Sequence, residues 1–169
     1  CGALCAYDAD RIIRNAIIAS AMSADALRTP MAPFDDRVHQ LRPFVGQIVV
    51  AENMRRLLDG SELIALGSGK VQDAYSIRCI PQVYSPSIDA LRYVMEQIVI
   101  EMNSVTDNPL FFPDEKEQLS CGNFHGQQIS MALDYLGIAM SEIGSLSERH
   151  INRLVNPHLN GGLPAFLVK

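Results

Sequence analysis

Apolar side chains recur along residues 88–105 as Ile88, Leu91, Met95, Ile98, Met102 and Val105, at spacings of 3, 4, 3, 4 and 3. That alternation follows the 3.6-residue period of an α-helix and forms a seam for neighbouring helices. It predicts a long helix over 86–107, with Pro86 tolerated in the first turn. Asn108-Pro109 must end it, because the residue before proline is pushed out of α geometry. A second seam of Ile129, Leu133, Leu136, Met140 and Ile143, continuing to Ser147 and His150, predicts another helix from about 126 to 155. Ala132, Gly137, Ala139 and Gly144 leave little side chain there, which favours close helix contact. Between the two seams, Leu110-Phe-Phe112 and Gln118-Leu-Ser120 flank an acidic turn and predict a small β-hairpin.

The first half is less regular. Asp8 or Asp10 can begin a helix with Ile12, Ile13, Ala16, Ile17 and Ser20 on one face, reaching towards Leu27. Thr29-Pro-Met-Ala-Pro33 breaks it, and Asp35 or Asp36 can cap a short turn holding Arg37, His39 and Leu41. A helix over 46–58 would turn Val50, Met54, Leu57 and Leu58 inward, and residues 60–71 read as loop around Gly67-Ser-Gly69. Two helices of 20 to 30 residues are long for a chain of this size. Each carries more apolar surface than the other can cover, so self-association is expected.

Composition narrows the function classes. The 169 residues are 48% hydrophobic, and 14 Lys+Arg against 19 Asp+Glu leave a net charge of −5, which argues against a nucleic-acid backbone binder. No apolar run approaches the roughly 18 residues of a membrane span. Cys1, Cys5, Cys79 and Cys121 have no zinc-site spacing and read as reduced thiols of a cytoplasmic protein. Cys1-Gly-Ala-Leu-Cys-Ala lacks an initiator methionine, and residues 161–169 stop while still apolar, so a piece of a larger chain is expected.

Several motifs invite wrong readings. Gly67-Ser-Gly-Lys70 resembles the tail of a phosphate-binding loop, but Ile64 and Val71 stand where that motif needs Gly and Ser or Thr. His39, His125, His150 and His158 lack metal-site spacing, and surface, capping or core roles suit His39, His150 and His158. Ser104, Ser130 and Ser147 lie in helical patterns without a nucleophile elbow.

Three polar segments stand out beside the apolar seams: Gln72-Asp-Ala-Tyr75-Ser-Ile-Arg78, Glu101-Met-Asn103-Ser-Val-Thr-Asp107-Asn108-Pro109, and Ser120-Cys-Gly122-Asn123-Phe124-His125-Gly126-Gln127. Tyr75 and Arg78 are three residues apart, so one helical turn puts both on the same side. A guanidinium offers a fixed fork for a carboxylate, and a tyrosine hydroxyl donates, accepts or relays a proton. The pair suits an amino acid or another small carboxylate. The competing reading is an ordinary Arg–acid pair beside a buried, bonded tyrosine.

Gln72-Asp-Ala-Tyr-Ser-Ile-Arg-Cys79, Asn103-Ser-Val-Thr-Asp-Asn-Pro109, Gly122-Asn-Phe-His125 and Gly144-Ser-Leu-Ser-Glu-Arg149 together resemble the aromatic amino acid ammonia-lyase family. Asn156-Pro-His-Leu159 and Gly162-Leu-Pro-Ala-Phe-Leu167 continue the resemblance, and Phe34-Asp35 to Gln47 extends it upstream. It spans essentially the whole chain. The resemblance implies a mainly α fold, the long-helix bundle of the ammonia-lyase/fumarase-like superfamily, with residues 1–169 an internal part of that helical domain. It implies a homotetramer whose active sites draw on three subunits, and elimination of ammonia from a small amino-acid substrate. Histidine giving urocanate is the expected reaction, with a tyrosine or phenylalanine lyase or aminomutase as the alternative. By the same resemblance, Tyr75 stands near the reacting amino acid and Arg78 binds its α-carboxylate. Asn108 bonds near that carboxylate, Phe124 shapes the side-chain end, and Gln72 lines the pocket. No added organic cofactor is implied, because the family's electrophile is a methylidene-imidazolone group formed autocatalytically from Ala-Ser-Gly. No Ala-Ser-Gly occurs here, and Gly67-Ser-Gly69 lies too close to Gln72 to be that segment. The electrophile is therefore expected upstream of Cys1, and the isolated piece is expected to be inactive. Two further readings stay open: a related helical lyase without the prosthetic group, which should show a Gly-Ser-Ser-x-Met-Pro-x-Lys-x-Asn signature absent here, and a noncatalytic helical assembly protein.

Overall fold

The computed structural model describes residues 1–168. Helix α1 spans Gly2–Ala26, and α2 (Asp36–Gln40) and α3 (Val45–Leu58) follow a 3-10 turn at Ala32–Phe34. Short α4 (Glu62–Leu66) and α5 (Tyr75–Arg78) lead into long α6 (Ile80–Met102). Strands β1 (Leu110–Phe112) and β2 (Glu117–Leu119) then precede α7 (Gln127–Val155). Helix α6 is the centre of the bundle, packed against α7, α3 and α1. The expected helical bundle and hairpin are both present; Leu110 pairs with Leu119 and Phe112 with Glu117, antiparallel.

The core follows from side-chain periodicity, with some shifts from the sequence pattern. Helix α7 buries Ala132, Leu136, Ala139, Ile143, Leu146 and His150, at spacings of 4, 3, 4, 3 and 4. Ile129, Leu133 and Met140 flank that ridge half-buried. Ala132 and Ala139 sit at the contact, where the Ser87 hydroxyl donates to the Ala139 carbonyl at 2.8 Å. Gly137 and Gly144 do not serve close packing, since a Cβ at either would meet nothing within 4 Å.

Helix α1 begins well before Asp8 because its buried ridge starts on small residues, Ala6 and Ala9, before Ile13 and Ile17. Ile12 faces outward at 50% exposure. On α3, Val50, Met54 and Leu58 are buried while Leu57 points away. Residues 62–66 are helical rather than loop: Ser61 accepts the Ile64 N–H at 3.1 Å, and Gly67 at φ 66° closes the turn.

Helix α6 differs at both ends from the expected 86–107. Pro81, not Pro86, occupies its first turn, and Pro86 lies inside the helix, where it removes one ladder bond. At the far end the Asn103 amide donates to the Val99 carbonyl and the Ser104 hydroxyl to the Ile100 carbonyl, both at 2.7 Å. Those side chains satisfy terminal carbonyls and end the helix before Asn108-Pro109 is reached. Met102 and Val105, at and beyond that end, are exposed, as is Met95 within the helix.

One glycine is needed for the packing. A Cβ on Gly46 would lie 2.5 Å from the Ser85 carbonyl oxygen and 3.0 Å from Ser85 Cα, so α3 crosses α6 backbone to backbone.

Candidate functional site

The turn carrying Tyr75 and Arg78 is held from its front by Asp73, whose side chain is fully buried. Its Oδ1 accepts the Ala74 N–H at 2.7 Å and its Oδ2 accepts the Thr29 hydroxyl at 2.8 Å, with Lys70 Nζ 3.7 Å away. Within the turn, Arg78 Cζ lies 5.6 Å from the Tyr75 ring centroid, a cation–π distance. Arg78 Nη1 donates to Gln72 Oε1 at 3.1 Å. Gln72, Tyr75 and Arg78 therefore form one cluster.

Arg78 forms no ion pair with a carboxylate among the described residues. Its Nε is buried and has no hydrogen-bond partner, a state that costs free energy unless another molecule or chain supplies an acceptor. Tyr75 is 71% exposed. The pair is thus neither an internal Arg–acid bridge nor a buried, bonded tyrosine. It is a half-buried guanidinium without a carboxylate partner among the described residues, beside an exposed phenol.

Asn108 and Phe124 stand elsewhere. Asn108 Oδ1 accepts the Cys121 N–H at 2.7 Å and the Ser120 hydroxyl at 3.1 Å. Those donors require oxygen at that position and leave the amide nitrogen free to donate outward. The Asn108–Pro109 peptide is cis. Phe124 is 61% exposed in the turn before α7.

Helix α6 separates the two groups. Its 23 residues span about 34 Å, with Arg78 just before its start and Asn108 in the loop that follows its end at Met102. Helix α7 runs back along it: Gln128 bonds Gln97 at 3.0 Å near one end, and His150 bonds the Ser76 carbonyl at 2.8 Å near the other. The chain presents these two candidate groups at opposite ends of one helix pair.

A surface groove of about 670 Å³ lies apart from both groups; Ile88, Leu91, Met95 and Val99 of α6 line it together with the charged Asp10, Arg92 and Glu96.

Comparison with known proteins places this geometry. The sequence model described as aromatic amino acid lyase matches residues 1–169. The chain belongs to the aromatic amino acid lyase family. Within that family, histidine ammonia-lyase of Alkaliphilus oremlandii is 52% identical over 169 residues, covering 99% of this chain and 33% of the relative. The solved structure of histidine ammonia-lyase from Trypanosoma cruzi superposes with TM-score 0.87 at 44% identity, covering 99% of this chain and 31% of that one. Tyrosine aminomutase from Streptomyces globisporus superposes with TM-score 0.90 at 39% identity, covering 99% and 36%. The chain spans about a third of the length of the curated relatives it matches.

Two residues of this lyase piece were not singled out by the polar motifs. Asp73 sits inside the Gln72–Arg78 segment, and its signal was an acidic residue directly before a helical turn. His150 read as a seam residue; it is buried, as expected, but its ring is fully hydrogen-bonded and reaches the turn between Tyr75 and Arg78. His39 is buried likewise, between the Pro33 carbonyl at 3.0 Å and the Gln47 amide at 3.1 Å, whereas His158 is exposed. No helix among the described residues is long and apolar enough to cross a membrane.

Proposed function

We propose that the whole protein of which this chain is a part eliminates ammonia from L-histidine to give urocanate, and that this chain supplies its carboxylate-binding half-site. The observation that carries the reading is the Arg78 guanidinium without a carboxylate partner among the described residues: a buried Nε with no partner, beside the exposed Tyr75. Relatives named histidine ammonia-lyase, 52% and 48% identical over nearly the whole chain, favour histidine.

In this reading Arg78 takes the substrate α-carboxylate through its Nη donors, while Gln72 and the Tyr75 ring hold the guanidinium in place. The Tyr75 hydroxyl, which has no hydrogen bond among the described residues, is available to hold or move a proton at the amino-acid end. The Asn108 amide donates near the carboxylate, and Phe124 packs the side-chain end. Because α6 holds the two groups apart, Asn108 and Phe124 come from a different copy than Arg78. A homotetramer accounts for this, and its interfaces would cover exposed side chains such as Met22, Val99, Ile100 and Ile138. The chain's four cysteines are unpaired, which suits a cytoplasmic location.

A methylidene-imidazolone group, when present, would supply an electron-poor alkylidene that makes loss of a poorly acidic β-hydrogen feasible. The residues of this chain do not form it: Ala-Ser-Gly is absent, and Gly67-Ser-Gly69 is a loop with positive φ at both glycines.

A tyrosine- or phenylalanine-directed lyase or aminomutase is the second reading, favoured by the 0.90 TM-score of the tyrosine aminomutase structure. Turnover of the whole protein separates the two. Ammonia and urocanate from L-histidine, with little product from L-tyrosine or L-phenylalanine, are expected. Release of cinnamate-type products or β-amino acids, with histidine untouched, would overturn the histidine assignment.

A further inference from the structure

The four-residue helix α5 is too short to hold its own geometry, since a single helical turn is not stable alone. It is also cut off from α6. Pro81 has no N–H for the Ile77 carbonyl, and the backbone turns out of helix at Cys79, with φ −102° and ψ 12°. Asp73 fixes the front of the turn. Its middle is fixed by a residue 74 positions away in sequence: His150 Nε2 lies 2.8 Å from the Ser76 carbonyl oxygen.

That contact sets the direction of a whole buried chain. A carbonyl only accepts, so Nε2 carries the proton and donates. In the neutral ring Nδ1 then accepts, and the Ser20 hydroxyl donates to it at 3.3 Å. The Ser20 oxygen is left to accept from the Tyr84 hydroxyl at 3.1 Å. Tyr84, Ser20 and His150 are 0%, 1% and 4% exposed, so water does not compete with this order. Burial also pushes the His150 pKa below its ordinary value, which keeps the ring neutral. The network joins α1, α6 and α7 to the carbonyl between Tyr75 and Arg78.

We propose that His150 is a positioning residue for the carboxylate-binding turn: its Nε2–H holds the Ser76 carbonyl, and thereby sets where Tyr75 and Arg78 present their polar groups. The proposal rests on the site reading given under Proposed function. It differs from a core-filling role in one respect. A core filler loses stability when replaced, whereas a positioning residue loses transition-state binding per assembled molecule.

The test uses the whole enzyme with His150→Leu, His150→Gln, Ser20→Ala and Arg78→Met, each scored for assembly, unfolding midpoint, kcat and KM. His150→Leu removes the donor and is expected to lower kcat/KM at least tenfold in correctly assembled enzyme. His150→Gln can place an amide N–H near the Ser76 carbonyl and is expected to recover most of that loss. In an Arg78→Met background His150→Leu should cost a smaller factor than alone, because both changes act on one contact. An assembled His150→Leu enzyme with near-normal kcat/KM overturns the proposal, as does His150→Gln failing as badly as His150→Leu. Should His150→Leu not assemble, Ser20→Ala decides: it leaves the ring and its Nε2–H but removes the donor to Nδ1, one of the two bonds that orient the ring, and a threefold or greater fall is expected, with no change overturning the proposal. If Arg78→Met is itself near normal, the site reading fails and this proposal fails with it. If Arg78→Met is impaired and His150→Leu is not, only the positioning role falls.

Discussion

Replacing Arg78 by Met in the whole enzyme isolates the guanidinium, because the long apolar stem stays and only the five N–H donors go. Of those donors, Nη1 serves Gln72 Oε1 at 3.1 Å and Nε has no partner. The substrate carboxylate can take up to two charge-assisted hydrogen bonds from the remaining Nη donors, worth about 1.5–3 kcal/mol each. Losing the equivalent of one to two in the transition state predicts a fall in kcat/KM of about 10²-fold or more, roughly 2.7 kcal/mol. Stability should respond differently. Among the described residues no carboxylate pairs with Arg78, and the variant deletes a buried donor that none of them satisfies. The unfolding midpoint and oligomer content should therefore stay near wild type. Steady-state kinetics on L-histidine, with thermal unfolding and sedimentation on the same preparations, read both quantities. An assembled Arg78→Met enzyme with near-normal efficiency would refute the substrate role. A large loss of stability with specific activity preserved would place Arg78 in a structural ion pair instead.

If the two half-sites come from different copies, co-assembling Arg78→Met and Asn108→Ala subunits should restore activity in roughly a quarter of sites, since random assortment leaves that share with both residues intact; no recovery above the separate variants would refute the composite site. The 169-residue chain alone should yield no urocanate above a no-protein control, because it lacks Ala-Ser-Gly and holds Arg78 and Asn108 apart. Gly46→Ala should lower stability by about 1–3 kcal/mol, measured as a shift in urea midpoint, because the new methyl meets the Ser85 backbone rather than a movable side chain. Burial lowers the pKa of both His39 and His150 below 6.5, so the unfolded chain takes up protons first as pH falls through that value. Stability should therefore fall as pH drops below about 6.5, by no more than about 1.4 kcal/mol per pH unit for each imidazole, and a midpoint that rises on acidification would contradict this. Asp35, held well below the usual carboxylate range by its bonds to Arg37, adds to the loss only once pH reaches the ordinary carboxylate range of the unfolded chain.

What the sequence made legible was local. The 3-and-4 spacing on α7 reports one helix face, and a helix face is a property of residues close in sequence. The same holds for Tyr75 and Arg78, whose spacing of three put them on one side of a turn before any packing was known. The errors fall where tertiary contacts override periodicity or where small residues carry the packing. Ala6 and Ala9 begin the buried ridge of α1, yet alanine gives a weak apolar signal. Met95 and Met102 fit the α6 seam but stay exposed, lining a groove beside α1 rather than entering the core. Gly46 looked like a helix start, and only the crossing at Ser85 shows why a side chain is excluded there.

The site divides along the same line. Residue types can be read from a motif, but which motifs share a site depends on the rigid distances between them. Gln72, Tyr75 and Arg78 are neighbours in the motif and in space. Asn108 and Phe124 belong to the same family pattern, yet α6 stands between them and Arg78 as a spacer of about 34 Å. Bringing the two ends together within one copy would mean breaking the helix at the centre of the core, against the burial of Tyr84, Val94 and Leu91. Docking a second copy needs no such disruption, and the exposed apolar side chains of α1, α6 and α7 offer it surface. On the proposed reading, the length that stabilises the bundle is also what keeps one copy from bringing Arg78 and Asn108 to the same substrate, which would tie catalysis to assembly.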